Sequence, residues 1–345
     1  MKEAIVKNDL TVDIVDSPIP KPGPGHVLIK VVVAGSNPKD WKLPAMRGTE
    51  INSGDDIAGT VEAVGEDVVG FHKGDRVAAF HEMMTPNGAF AEYAIAPYYT
   101  TFHIPDLISY EEAATIPLAA YTSACALFQQ LELPEPWSPL SKAAGKDDTK
   151  RPLISMEQVL LREPLLSSLL LRPIFTLSSR KGDVLIDYTA HPTEKELIKA
   201  IQEAIEKGGA PDGRCWKAYD TVSEDKTIRL VTKAIAGPAD PAGRKPRVTN
   251  IFLKTEVEGS DPSVDIVYSM VGQVHNEDEN DKLIGVTWGA AFGRGLREGW
   301  LTYHPYTLGK SGLESLSEGL KNLRDGKIRA QKFLTRLSAT PGARD

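Results

Sequence analysis

The sequence predicts an α/β protein of two domains, an all-β, barrel-like domain followed by a doubly wound parallel sheet. Three observations carry that reading. From Ile5 to about Thr101, short β-branched runs such as "VLIKVVVAG", "GTVEAVG", "DRVAAF" and "FAEYAIA" are separated by Gly, Pro, Asn and Asp. Further along, strand-like and helix-like patterns alternate, which is the grammar of parallel sheets. The chain has 345 residues, 41% hydrophobic and 25% charged, enough to bury two separate cores.

The elements follow in order. The prolines of "DSPIPKPGPGH" suit an exposed connector before the strand "VLIKVVVA", and "GEDVVGFHKGDRV" reads as a turn leading into another strand. In "SYEEAATIPLAAYTSACALFQQL", Ser109 stands three residues before Glu112. That is capping-box spacing, so a first helix starts there and stops near Ile116, before Pro117, with a second behind it. "LPEPWSPLSKAAGKDDTKRP" lacks periodicity and reads as an exposed loop near a domain boundary. Then come "DVLIDY" as a strand, "TEKELIKAIQEAIEKGG" as an amphipathic helix with a glycine stop, "RCWKAYDTVS" as strand and turn, and "RVTNIFL" and "VDIVYSMVG" as later strands. The C-terminal "SGLESLSEGLKNLRDGKIRAQKFLTRL" is one helix and a strand. The expected domains are 1–130 with 304–345, and 131–303.

Composition excludes several roles. A net charge of −7 and a pI near 5.6 argue against nucleic-acid or acidic-membrane partners, which require a concentrated basic face. "MKEAIVKNDL" has no apolar signal core, and the expected compartment is the cytoplasm. Cys125 and Cys215 are far apart, so neither a disulfide framework nor a cysteine zinc lobe is available.

The strings "GSNPKDWK" (35–42), "GDDIAGTVEAVG" (54–65), "GFHKGDRVAAF" (70–80), "GAFAEYAI" (88–95) and "EEAATIPLAAYTSA" (111–124) together resemble the zinc-free branch of the medium-chain dehydrogenase/reductase superfamily. "NPKDW", "AYDTVSE", "GLREGWLTYHPY" and "GLKNLRDGKI" look most like its fungal trans-acting enoyl reductases. The resemblance implies a GroES-like β-domain, a Rossmann-like domain, NADPH as cofactor, and reduction of a carbon–carbon double bond conjugated to a carbonyl or thioester. It also implies an enoyl substrate, free or carrier-tethered, and a polyketide synthase as a partner in secondary metabolism. Zinc-dependent relatives carry a cysteine where this chain has "GSN", and a histidine–glutamate pair where it has Asp55 and Asp56. Two adjacent aspartates without Cys or His do not make a catalytic zinc site, so no metal is expected.

Carried over residue by residue, the "NPxDxK" turn implies cofactor contacts from Lys39, Asp40 and Lys42, with Asn37 holding the turn. A lysine ammonium can donate to ribose hydroxyls or neutralise phosphate. An ordinary polar turn is the competing reading. Thr122 aligns with a helix position lining the nicotinamide and acyl cleft, although a helical hydroxyl can equally bond its own turn. Tyr188 would end a strand at the ligand edge of a doubly wound sheet, or serve as a core tyrosine. His304 is read as structural. Hydride addition to the β-carbon needs a proton at the α-carbon, for which Lys42 is a weak candidate.

One stretch contradicts its surroundings. The resemblance demands a strand, a glycine-rich turn and a helix at the start of the second domain. Residues 153 to 179 offer none of these: glycine is absent from Lys146 to Lys181, and Pro164 and Pro173 would break any helix there. The genetic code supplies a cause. Codons that begin at the third base of each written codon, starting at Ser155 and continuing through Ser179, can spell YGASTAAGAFAIKLAAASNIHPII with a choice among synonyms. That string looks like the family's nucleotide-binding turn and helix. Residues from about Ser155 to Ser179 are therefore expected to be read out of frame, with the normal frame resuming by "RKGDVLIDY". Two other readings stand beside the enoyl reductase: a stand-alone quinone or enone reductase, and a non-catalytic remnant or binding protein lacking the phosphate turn.

Overall fold

The computed structural model describes residues 1–135, 137, 153–156, 186, 190–207, 213–328 and 331–343. The chain divides into two compact units, Met1–Tyr121 with Gly272–Asp345, and Thr122–Val271.

The first unit begins with an antiparallel pair, β1 (Lys2–Val6) and β2 (Val12–Asp16). β3 (His26–Gly35) is followed by helix α1 (Pro38–Arg47), then β4 (Asp56–Val64), β5 (Arg76–Phe80), β6 (Tyr93–Pro97) and β7 (Thr101–His103). β3 pairs antiparallel with both β4 and β6, and alternate residues along it fill one core with Val77, Phe90 and Leu320. The sequence suggested only a turn after β3. The structure makes it the start of a helix because Asn37 caps it, Pro38 takes the first helical position and Asp40 sits in the first turn.

Helix α2 (Tyr110–Ala113) opens with the expected capping box: Glu112 N–H donates to Ser109 Oγ at 3.2 Å, and Ser109 N–H donates to Glu112 Oε2 at 2.7 Å. α3 (Pro117–Ala124) starts at the proline and continues as a π-helical turn over Cys125–Gln130.

Among its described residues, the second unit holds four parallel strands. β8 (Leu153–Met156) pairs with β9 (Lys217–Asp220), β9 with β10 (Arg247–Asn250), and β10 with β11 (Asp265–Tyr268). α4 (Glu194–Lys207) and α5 (Asp225–Ile235) join them, burying Ile201, Ile205, Ile228 and Val231 in a second core with Val248. The strand expected to be missing from residues 153–179 is therefore present at its start: Leu153 and Ile154 lie opposite Lys217 and Ala218. The out-of-frame expectation for the rest of that segment, like the "DVLIDY" strand apart from Ile186, lies outside the described residues.

The chain re-enters the first unit at Gly272, earlier than the expected 304. The reason is α6 (Glu279–Glu298). Its Gly285, Gly289 and Gly293 recur every fourth residue, and a Cβ on them would meet the Tyr99 carbonyl at 2.9 Å, the Tyr121 hydroxyl at 2.7 Å and the His103 carbonyl at 3.0 Å. The bare stripe lets α6 lie directly on β7 and the preceding turn, while Phe292 packs against Tyr121 and Phe102 with Trp288 beside it. β12 (Tyr306–Leu308), α7 (Leu316–Arg324) and β13 (Lys332–Arg336) complete the unit, β13 pairing with the end of β3. The single C-terminal helix expected from the sequence is split, with a 3₁₀ turn over Gly312–Ser315 ahead of α7. Among the described residues, no helix is long and apolar enough to cross a membrane.

Candidate active site

The "GSNPKDWK" turn joins β3 to α1, and its surroundings are charged and buried. Gly35 ends β3 where a Cβ would stand 2.3 Å from the Ala114 carbonyl and 3.1 Å from Lys332 Cε, so only glycine admits its neighbours. Asn37 then organises the turn. Its backbone N–H donates to Asp40 Oδ2 at 2.7 Å, and its Nδ2 donates to Asp56 Oδ2 at 2.9 Å.

Asp55 and Asp56 precede and open β4, and because alternate residues of an extended chain face opposite ways they serve two lysines. Lys39 pairs with Asp40 Oδ1 at 2.9 Å and with Asp55, and donates to the Ser53 carbonyl. Lys332 on β13 pairs with Asp56, which also accepts the Leu118 N–H at 2.7 Å. Asp40, Asp55 and Asp56 are 0%, 1% and 0% exposed and Lys332 is 8% exposed.

Burial shifts the ionisation here. Asp40 is pushed up to about 7, because desolvation and the nearby Asp55 charge outweigh the attraction of Lys39. Asp55 is pushed up to about 6, again by desolvation first, against the pull of Lys39. For Lys39, burial opposes the charge, but the two carboxylates win and hold its pKa above the ordinary lysine value. His304 is pulled down to about 3 by burial and by the Lys332 ammonium, so it is neutral at physiological pH, as a structural histidine would be. Among the described residues no group of three or more His, Cys, Asp or Glu is arranged to hold a metal ion.

The structure thus brings Lys39 and Asp40 together, but turns both inward. Asp40, expected as a cofactor contact, is fully buried here and supports the turn from inside, accepting the Asn37 N–H and pairing with Lys39. The Lys39 ammonium is engaged by Asp40, Asp55 and Ser53, a use different from the ribose or phosphate contact expected of it. Lys42 lies one turn on, its Nζ 5.6 Å from the centroid of the Trp41 ring. Thr122, half-buried on α3, is the first residue of the second unit. Tyr188 lies outside the described residues. Sequence reasoning missed Lys332, which gave no more signal than a cation before the apolar pair Phe333 and Leu334.

The second unit has its own ligand edge, since parallel sheets bind at the carboxyl ends of their strands. There Asp220 accepts from the N–H groups of Val222 and Ser223 and from Thr227 Oγ1 at 2.6 Å, which shapes the entry to α5. The Ser269 hydroxyl, just past β11, is buried without a hydrogen-bond partner, and Ile251, Phe252, Tyr268 and Met270 are exposed beside it. An orphaned hydroxyl amid apolar side chains fits the flat, amide-bearing end of a nicotinamide cofactor. Its pyrophosphate needs a glycine-rich turn, and none exists in the sequence between Lys146 and Lys181.

Residues 23–106 match the alcohol dehydrogenase GroES-like domain. The fold is that of a protein from Rhizobium etli CFN 42 described as a zinc-dependent alcohol dehydrogenase: TM-score 0.71, 18% identity, covering 97% of this chain and 98% of that one. The architecture is therefore that of the medium-chain dehydrogenases and reductases. The trans-enoyl reductase fsr4 of Gibberella fujikuroi is 36% identical over 88% of this chain and 89% of its own. The trans-enoyl reductase resD of Aspergillus sclerotiorum is 30% identical over 93% and 96%. The chain belongs to this family of fungal trans-enoyl reductases and is by family an oxidoreductase.

Proposed function

We propose that the protein's activity is the NADPH-dependent reduction of a carbon–carbon double bond conjugated to a carbonyl or thioester, in fungal secondary metabolism and in concert with a polyketide synthase. The observation that carries this is the likeness along nearly the whole chain to enzymes named trans-enoyl reductases. The bound cofactor would supply the hydride. The chain's part is to orient the enoyl group, exclude water, and stabilise the negative charge that grows on the carbonyl oxygen as the β-carbon is reduced. Lys42 is the side chain of the turn proposed to face the cofactor, and the candidate to carry a proton to the α-carbon. Asp40 and Asn37 hold that turn from inside. The test is NADPH consumption with an enoyl thioester, with and without the synthase. No oxidation with the synthase present, by protein shown to bind NADPH, would overturn the reading.

The missing phosphate turn favours a second reading for the chain as written, namely that it binds NADPH poorly and does not turn over. We propose that residues from about Ser155 to Ser179 are an out-of-frame reading of the nucleotide-binding turn. Sequencing the coding DNA decides this, and shifted codons that contain stops would end the idea. Fluorescence titration of the written chain should show little NADPH binding, and a micromolar Kd would refute that expectation. A chain carrying the shifted-frame residues should bind.

A further inference from the structure

Lys332 is far in sequence from the turn bearing Lys39 and Lys42, yet it is built into the support of that turn. Its buried ammonium donates to three oxygens from three separate stretches: Asn37 Oδ1 at 3.0 Å, Asp56 Oδ2, and the Thr115 carbonyl at 3.4 Å. An ammonium has three protons to place, and all three find acceptors. Asn37 passes the constraint onward through its N–H to Asp40, and Asp40 passes it to Lys39. A continuous chain of polar contacts thus runs from β13 into the first turn of α1.

Stability alone does not explain this arrangement. A buried ion pair is weak evidence for stability, since well-packed apolar residues of the same volume often hold a fold as well or better. What the ammonium adds is direction, because it fixes where three oxygens from three segments must stand. The backbone at Gly35 is cut away to admit it, the glycine Cα lying where a Cβ would crowd Lys332 Cε.

We propose that Lys332 is a positioning residue that sets the placement of the Asn37–Lys42 turn; its bearing on catalysis rests on the function proposed above. Trp41 is a reporter inside that turn, partly buried against the first core and next to the Lys42 ammonium. The full chain would be labelled with 5-fluorotryptophan, its five tryptophans resolved by ¹⁹F NMR, and Trp41 assigned with Trp41→Phe. In Lys332→Met the Trp41 resonance should be displaced while those of Trp216 and Trp288 stay. Lys332→Arg should return it towards the wild-type position, as should propylammonium added to Lys332→Ala. An unmoved Trp41 resonance in a folded Lys332→Met would overturn the proposal, as would all five moving together. If Lys332→Met does not fold, a Trp41 resonance in Lys332→Ala that ignores propylammonium would overturn it equally. The readout needs neither NADPH nor turnover, so a chain unable to bind the cofactor would count against the proposed function and not against this role.

Discussion

In the first unit, Asp40, Asp55 and Asp56 lie in the interior and pair with lysines there, Asp40 and Asp55 with Lys39 and Asp56 with the buried Lys332. Among the described residues of the second, by contrast, the ion pairs sit at the surface: Lys254 and Asp225 are 27% and 69% exposed at their side chains, Lys233 and Glu194 are 40% and 31%. Among the described residues, the interior of the second unit is built mainly from Ile201, Ile228, Val231 and Val248, and its buried Asp220 accepts from backbone N–H groups and the Thr227 hydroxyl rather than from a lysine. Two of its cations also cap an element end, Lys217 and Arg247 donating to the Leu131 and Gln130 carbonyls where the π-helical turn after α3 stops. The difference is one of purpose. Surface pairs and end caps hold elements that hydrophobic burial has already placed, whereas buried charges dictate the location of a loop that burial alone would leave undetermined.

If that contrast is right, the largest effect should come from Asp56→Ala. It strands the Lys332 ammonium and the Leu118 N–H, and should cost the first unit about 3–5 kcal/mol by urea unfolding. A loss no greater than that of an exposed pair would break the comparison. Ile228→Ala, in the second core, should cost about 2–5 kcal/mol, and should move the far-UV transition of the second unit. Removing Lys217 with Lys217→Met should cost only about 0.3–1 kcal/mol, the worth of a cation at a helix C-terminus. The exposed Arg294–Glu298 pair on α6 is expected to show the smallest coupling of these in a double-mutant cycle, since solvent screens both charges.

A finer test uses pH. Asp40 and Asp55 hold protons more tightly folded, at about 7 and about 6, than at the ordinary 3.8. Between those values the native state binds more protons than the unfolded one, so their contribution to stability is present at low pH and is lost as pH rises towards 7. The neutral His275 and His304, at about 3 in place of 6.5, act oppositely, and their contribution grows as pH rises to 6.5. The two slopes oppose each other in the wild type. Asp55→Asn removes part of the falling one, so stability measured from pH 4 to 6.5 should rise more steeply than in the wild type. An unchanged slope would show that Asp55 is charged throughout.

Much of this was legible beforehand. The capping box at Ser109 and Glu112, the helix ending before Pro117, and the amphipathic helix of Glu194–Lys207 depend on neighbours within a few residues, so local pattern suffices to find them. The Asn37–Asp40 turn was visible as a motif, but not its helix or the inward aim of Lys39, because that lysine's partners Asp55 and Ser53 come from another segment. The return of the chain at Gly272 was misplaced by the sequence because the Gly285, Gly289 and Gly293 stripe acquires meaning only when β7 lies against it.

What the sequence by itself determined is the order of β and βαβ segments, the family, and the absence of a glycine turn before Lys181, since each is a matter of residue type and spacing along the chain. Only the tertiary structure decided which lysine meets which aspartate. Lys332 and Asp56 are 276 residues apart, and no local rule can pair them. They meet because β13 folds back onto β3, whose other edge pairs with β4, and leaves a charged side chain in a place water cannot reach, where an ion must find its counter-ion within the protein.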